Sequence, residues 1–216
     1  MWTRKELKER AKAHFKANYW PTVIVTFILV TFVVATGSST TSGQDSEQLK
    51  ESLSAINTSA LLLALVICIA IGYFVINPLA VGCRAFYSEN GKENKPRIST
   101  ILAMFKNPNY LNVCLVIFMR DLFIALWTLL LIIPGVIKTY EYAMVEYIVA
   151  DNPSISYKDA LAKSKEMMKG NKWKFFVLQL SFILWDLLEV VPLVGFLWVE
   201  PYKQQTEAEL YLELNK

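Results

Sequence analysis

From Tyr110 to Val136 the chain carries only two charged residues, Arg120 and Asp121, in an otherwise apolar run. A helix of about 20 apolar residues crosses the hydrocarbon core of a bilayer, and soluble domains rarely contain such a run. Further apolar runs occupy residues 21–36, 58–82 and 172–191. They explain why 54% of the 216 residues are hydrophobic and only 19% charged. Mean hydropathy is +0.34. That balance excludes a disordered chain and points to a single membrane domain over residues 1–216.

The cations are unevenly placed, and this sets an orientation. Residues 1–20 hold six Lys and Arg, residues 83–108 hold five and residues 152–174 hold six, whereas residues 37–57 hold only Lys50. The positive-inside rule puts the N-terminus and both basic loops in the cytoplasm. Parity then requires residues 135–151 to cross back, and the same logic makes 193–212 a sixth span with the C-terminus inside. The expected fold is therefore all-α: a polytopic transmembrane helical bundle with spans at about 21–36, 58–82, 109–133, 135–151, 172–191 and 193–212.

Residues 22–36, apolar and preceded by a basic stretch, imitate a signal peptide. The basic stretch is long and helical in pattern, so the segment reads as a retained first span. Ala60, Ala64, Cys68 and Gly72 recur every four residues, a stripe that allows close helix approach in lipid.

Two basic amphipathic helices complete the architecture. Thr3-Arg4-Lys5-Glu6 has capping-box form, and the helix after it places Leu7, Ala11, His14, Phe15 and Asn18 on one face. Tyr19-Trp20 supplies an interfacial aromatic pair. This helix, residues 1–20, is expected to lie on an anionic leaflet. Residues 153–170 form the second, with Ser156 as cap and Gly170 as stop. Its Lys158, Lys163, Lys165 and Lys169 are lipid-surface candidates.

An internal echo marks two tight hairpins. Trp127-Thr128-Leu129-Leu130-Leu131-Ile132-Ile133-Pro134 matches Trp185-Asp186-Leu187-Leu188-Glu189-Val190-Val191-Pro192 at a constant offset. Each copy ends an apolar span and precedes a more polar one, giving a parallel repeat of Pro-containing hairpins.

These residues resemble a known pattern. The N-terminal Arg4…Leu7-Lys8…Ala11-Lys12 helix and Leu79-Ala80-Val81-Gly82 come first, followed by Ile133-Pro134-Gly135. Then come Ser164-Lys165…Met168-Lys169-Gly170, Leu180-Ser181-Phe182…Trp185 and Pro201-Tyr202. Together they are similar to the bacterial integral-membrane family catalogued as domain of unknown function 975. The resemblance implies a multi-pass protein of the bacterial plasma membrane and supplies no catalytic residues.

Ionisable groups inside spans are functional candidates. Here they are Arg120, Asp121, Glu141, Glu146, Asp186 and Glu200. Counted from Pro134 at about 1.5 Å per residue, Arg120 and Glu146 are level on adjacent helices and within reach. Asp121 points about 100° around the helix and is the poorer partner. Glu141, Asp186 and Glu200 lie at similar depths and are expected to approach one another; such a cluster needs a cation, protons or water. Gln179 shares a face with Asp186, as Glu200 does with Gln204 and Glu207.

Other chemistry is weakly supported. The net charge of +3 gives no footprint for nucleic acid. Cys68, Cys83 and Cys114 are odd in number, with no CxxC, and read as packing residues. A single histidine, His14, gives no metal spacing, and no motif implies a cofactor. There is no HExxH, GxSxG, P-loop or dinucleotide loop, so no enzyme is expected. The sequence favours a non-catalytic accessory protein that binds lipid or a partner, either another protein or a second copy. A small transporter or channel using an acidic intramembrane site for a cation or proton stays open.

Overall fold

The computed structural model describes residues 2–37, 70–92, 95–182 and 198–216, together with Leu63 and Ile67, and side chains in the first helical region as far as Ile28. Every regular element among these is helical. Asp186, the second copy of the echo, most of the small-residue stripe and the Ser/Thr-rich segment 38–57 lie outside the described residues.

Two helices open the chain, α1 (Arg4–Ala17) and α2 (Tyr19–Gly37). Thr3 caps α1 reciprocally: its hydroxyl accepts from the Glu6 amide at 3.3 Å, and its own amide donates to the Glu6 carboxylate at 3.1 Å. A π-helical turn, Gly72–Ile76, leads into α3 (Asn77–Gly91), with Pro78 in the first turn where no amide donor is needed. A 3-10 helix, Ile98–Lys106, follows. Next come α4 (Tyr110–Leu130), α5 (Ile132–Glu141), α6 (Val145–Asp151) and α7 (Tyr157–Met167). The last two are α8 (Lys172–Leu180) and α9 (Glu200–Leu214).

The core is centred on α3, which packs against the 3-10 helix, α6 and α9. Phe86 and Tyr87 from α3, Tyr147 and Ile148 from α6, and Leu210 and Tyr211 from α9 are fully enclosed there. Residues 83–108 are therefore not a loop. The run Leu79–Tyr87 continues a helix into the core, and the positive charge of Arg84 goes with it.

The second region is a hairpin. α4 runs out of the core and the chain reverses at Leu131, which has extended backbone (φ −156°, ψ 132°); α5 then returns along it. A Cβ on Gly135 would lie 2.7 Å from the Thr128 Cα, so the two backbones touch there and only glycine fits. The buried residues of α4, namely Val113, Cys114, Val116 and Ile117, all fall in its first half. The tip, Leu129 to Ile133, is apolar throughout and exposed.

The span expectations divide accordingly. Among the described residues only Tyr110–Leu130 is long and apolar enough to cross a membrane. Residues 135–151 do not form one helix. A turn at Tyr142–Met144 separates α5 from α6, and α6 packs into the core against α3. Residues 200–214 form a polar helix packed along α1 and α3, and residues 193–197 of the expected sixth span lie outside the described residues.

The amphipathic α1 also differs from expectation. Its apolar face, carrying Leu7, Ala11 and Phe15, is buried in the seam where α1 runs along α9, so that face is not free to rest on lipid. Polar pairs line the same seam, His14 Nδ1 with Glu209 Oε1 at 2.5 Å and Arg10 with Glu213 at 3.1 Å, and beside it Asn90 of α3 donates to Gln205 at 2.9 Å.

Candidate functional site

Four helices, α3, α4, α6 and α9, place polar side chains in one cluster where the hairpin joins the core. Glu146, in the first turn of α6, is its centre. One carboxylate oxygen accepts from Arg120 Nη1 at 2.6 Å and the other from Arg84 Nε at 2.8 Å. A carboxylate shared by two guanidiniums is strongly held, since each bond is charge-assisted. All three side chains are more than four-fifths enclosed. Removing one partner would leave a poorly solvated charge behind.

Arg84 reaches further. Its Nη1 donates to Gln204 and lies 3.4 Å from both the Tyr147 hydroxyl and Glu207 Oε2. Its guanidinium also lies over the Tyr147 ring at 5.3 Å. Tyr147 stacks on Tyr211 at 5.1 Å, and the Tyr211 hydroxyl donates to Asp151 at 2.7 Å. Burial, reinforced by that bond to Asp151, pushes the Tyr211 phenol above its usual range. Asp151 also accepts from Lys92 at 3.3 Å. Burial works against the Lys92 ammonium, but its bonds to Glu89 and Asp151 prevail and hold its pKa up.

The sequence candidates are distributed as follows. Arg120 and Glu146 meet. Asp121 meets Arg120 as well, at 2.9 Å from Nε, because the long arginine side chain folds back over its neighbour. An offset of about 100° around the helix therefore does not keep the two apart. Glu141 and Glu200 are held by separate partners. Glu141 pairs with Lys138 at 2.6 Å and with Lys172, whereas Glu200 accepts from Gln204 at 2.6 Å and lies 3.9 Å from Lys203. The expected third carboxylate, Asp186, lies outside the described residues. Among those residues no group of three His, Cys, Asp or Glu is placed to hold a metal ion.

Lys158, Lys163 and Lys165 are exposed on α7, away from its buried Ala160, Leu161 and Ser164, and Lys169 is exposed in the turn that follows. Ser164 has a role that composition hides. Its hydroxyl donates to the Glu141 carbonyl at 2.8 Å and accepts from the Met144 amide at 3.2 Å, bridging the break between α5 and α6. That bridge fixes the start of α6 and so aims Glu146. The α7 cap is as the spacing predicts, with Ser156 accepting from the Asp159 amide at 3.2 Å and Gly170 (φ +75°) beyond the last turn.

Arg84 and Glu207 complete the site and were not sequence candidates. The available signal was a lone arginine inside the apolar Leu79–Tyr87, and a face shared by Gln204 and Glu207. Beside the cluster lies a cavity of about 580 Å³, lined by Arg84, Arg120, Asp121, Glu146 and Glu207 on its polar side and by Ile124, Val136 and Phe175 elsewhere. Tyr140 and Gln179 bridge its rim through a 3.1 Å hydrogen bond. Two arginines face three carboxylates there. The arrangement holds charge at the base of an apolar hairpin; it contains no nucleophile paired with a base.

Residues 128–216 match the model of a family described as protein of unknown function (DUF975), the family that the sequence resembles. No curated protein and no solved structure matches the chain.

Proposed function

We propose, with that family match as premise, that the chain is a non-catalytic integral protein of the bacterial plasma membrane, acting as an accessory that binds lipid or a partner. The observation that carries this reading is the hairpin tip. Five consecutive apolar residues, Leu129 to Ile133, are between 64% and 86% exposed. An apolar patch of this kind is costly in water and ordinary in lipid. The hairpin enters the bilayer, and the polar layer of α1, α3, α6, α7 and α9 rests at its cytoplasmic face with the α7 lysines towards anionic lipid. Each such cation adds about 1 kcal/mol of attraction near an anionic leaflet.

Topology tests it. Membranes washed with alkaline carbonate should retain the protein. A cysteine at Leu131, inside the hydrocarbon, should resist an impermeant maleimide in intact and permeabilised membranes alike, because α5 returns over about 15 Å, and one at Lys165 should react only after permeabilisation; a Leu131 cysteine that reacts readily, or a Lys165 cysteine labelled from outside, overturns the proposal. Gly135, at the hairpin contact, is a poor labelling position because any side chain there pushes on Thr128.

A second reading, a small transporter or channel, is favoured by the charged cavity beside Glu146 and Glu207. It predicts that Glu207→Gln, reconstituted in liposomes and still folded, loses cation or proton flux. An accessory protein shows no such flux in either form.

A further inference from the structure

The seam between α1 and the start of α9 opens at one end into a groove of about 360 Å³. Lys12, Phe15 and Lys16 of α1 and Tyr19 at the start of α2 form one wall. Trp198 and Tyr202 form the other wall. Phe15 and Tyr19 lie 5.1 Å apart, and Tyr19 meets Trp198 edge-on at 6.5 Å. The floor is thus aromatic while the cations sit along one wall only. Lys12 and Lys16 are exposed, and among the described residues neither has a carboxylate partner. Trp20 and Trp198, 67% and 61% exposed, flank the groove where the apolar α2 begins. Amphipathic rings in that position mark a membrane–water boundary.

We propose that this groove binds one anionic phospholipid, its phosphate taken by Lys12 and Lys16 and its acyl chain laid on Tyr19 and Trp198. The inference rests on the membrane reading above and adds a defined site to it. Charge complementarity selects the occupant: two uncompensated ammonium groups beside an apolar floor match a headgroup phosphate beside a hydrocarbon chain. The α7 lysines are equally cationic, but that helix turns its apolar residues into the core and offers no floor.

Full-length protein in mild detergent is titrated with dioleoyl-phosphatidylglycerol, with dioleoyl-phosphatidylcholine as the neutral comparison, and bound lipid is counted by native mass spectrometry. One phosphatidylglycerol should be retained in preference to phosphatidylcholine. Lys12→Gln/Lys16→Gln should weaken it about 30-fold, the factor for two cations at about 1 kcal/mol each. Lys95→Gln/Lys106→Gln removes the same charge at two exposed positions away from the groove and should leave retention unchanged. Quenching by brominated phosphatidylglycerol should fall in Trp198→Phe. Equal loss in the two lysine pairs would mean diffuse attraction and overturn the site, as would equal retention of the two lipids. Displacement by inorganic phosphate would make the ligand a soluble anion and overturn the lipid. Release of the chain by alkaline carbonate is a separate result, and it would bring down the membrane reading itself.

Discussion

The hairpin and the core treat the same apolar residues in opposite ways. In the core, Phe86, Tyr87, Tyr147 and Leu210 are enclosed, and polar groups such as Gln205 and Asn90 are buried only with partners. In the hairpin, Leu126, Leu129, Leu130 and Ile133 face outward, and the contact between its helices is a backbone touch at Gly135 and Thr128. The core is built as a water-soluble domain is, by burying apolar area. The hairpin is built as membrane helices are, by small residues and close packing, because lipid gives apolar side chains nothing to escape. The Arg84–Glu146–Arg120 cluster lies at the junction, where charges still have partners on both sides.

The largest expected effect strikes that junction. Glu146→Ala leaves two enclosed guanidiniums without their shared carboxylate and should cost about 3–5 kcal/mol. Thermal unfolding in detergent followed by circular dichroism measures it. A negligible change would mean that the two regions are not joined through this residue.

Leu126→Asp tests the medium around the hairpin. At an exposed site in water a substitution stays within about 0.5 kcal/mol, whereas an aspartate deep in a membrane helix costs about 3 kcal/mol. Membrane insertion assayed against the parent chain separates the two, and an unaffected variant would put the hairpin in water. Ser164→Ala should cost about 1–3 kcal/mol by leaving the Met144 amide and Glu141 carbonyl unpaired. Hydrogen exchange should show the loss concentrated at the α5–α6 break, with the tip unchanged.

Much of this was legible locally. Capping at Thr3 and Ser156 depends on residues three apart, so four-residue patterns found it. The pairing of Arg120 with Glu146 was legible because a hairpin makes level positions calculable from helical rise, even though the reversal falls at Leu131 rather than at Pro134. The role of Arg84 was not legible. As one of five cations in a basic segment it counted towards topology, and nothing nearby in sequence names Glu146, Gln204 or Glu207 as its partners.

The sequence by itself determined the all-helical class, the caps at Thr3 and Ser156, the apolar hairpin and the uneven placement of charge, because each depends on neighbours within a few turns. The tertiary structure alone decided that α9 covers the apolar face of α1, that residues 135–151 break in two around Ser164, and that Arg84 and Arg120 share one carboxylate. Those outcomes join residues from about 20 to about 200 positions apart, and an amphipathic face carries no mark of whether lipid or another helix will cover it.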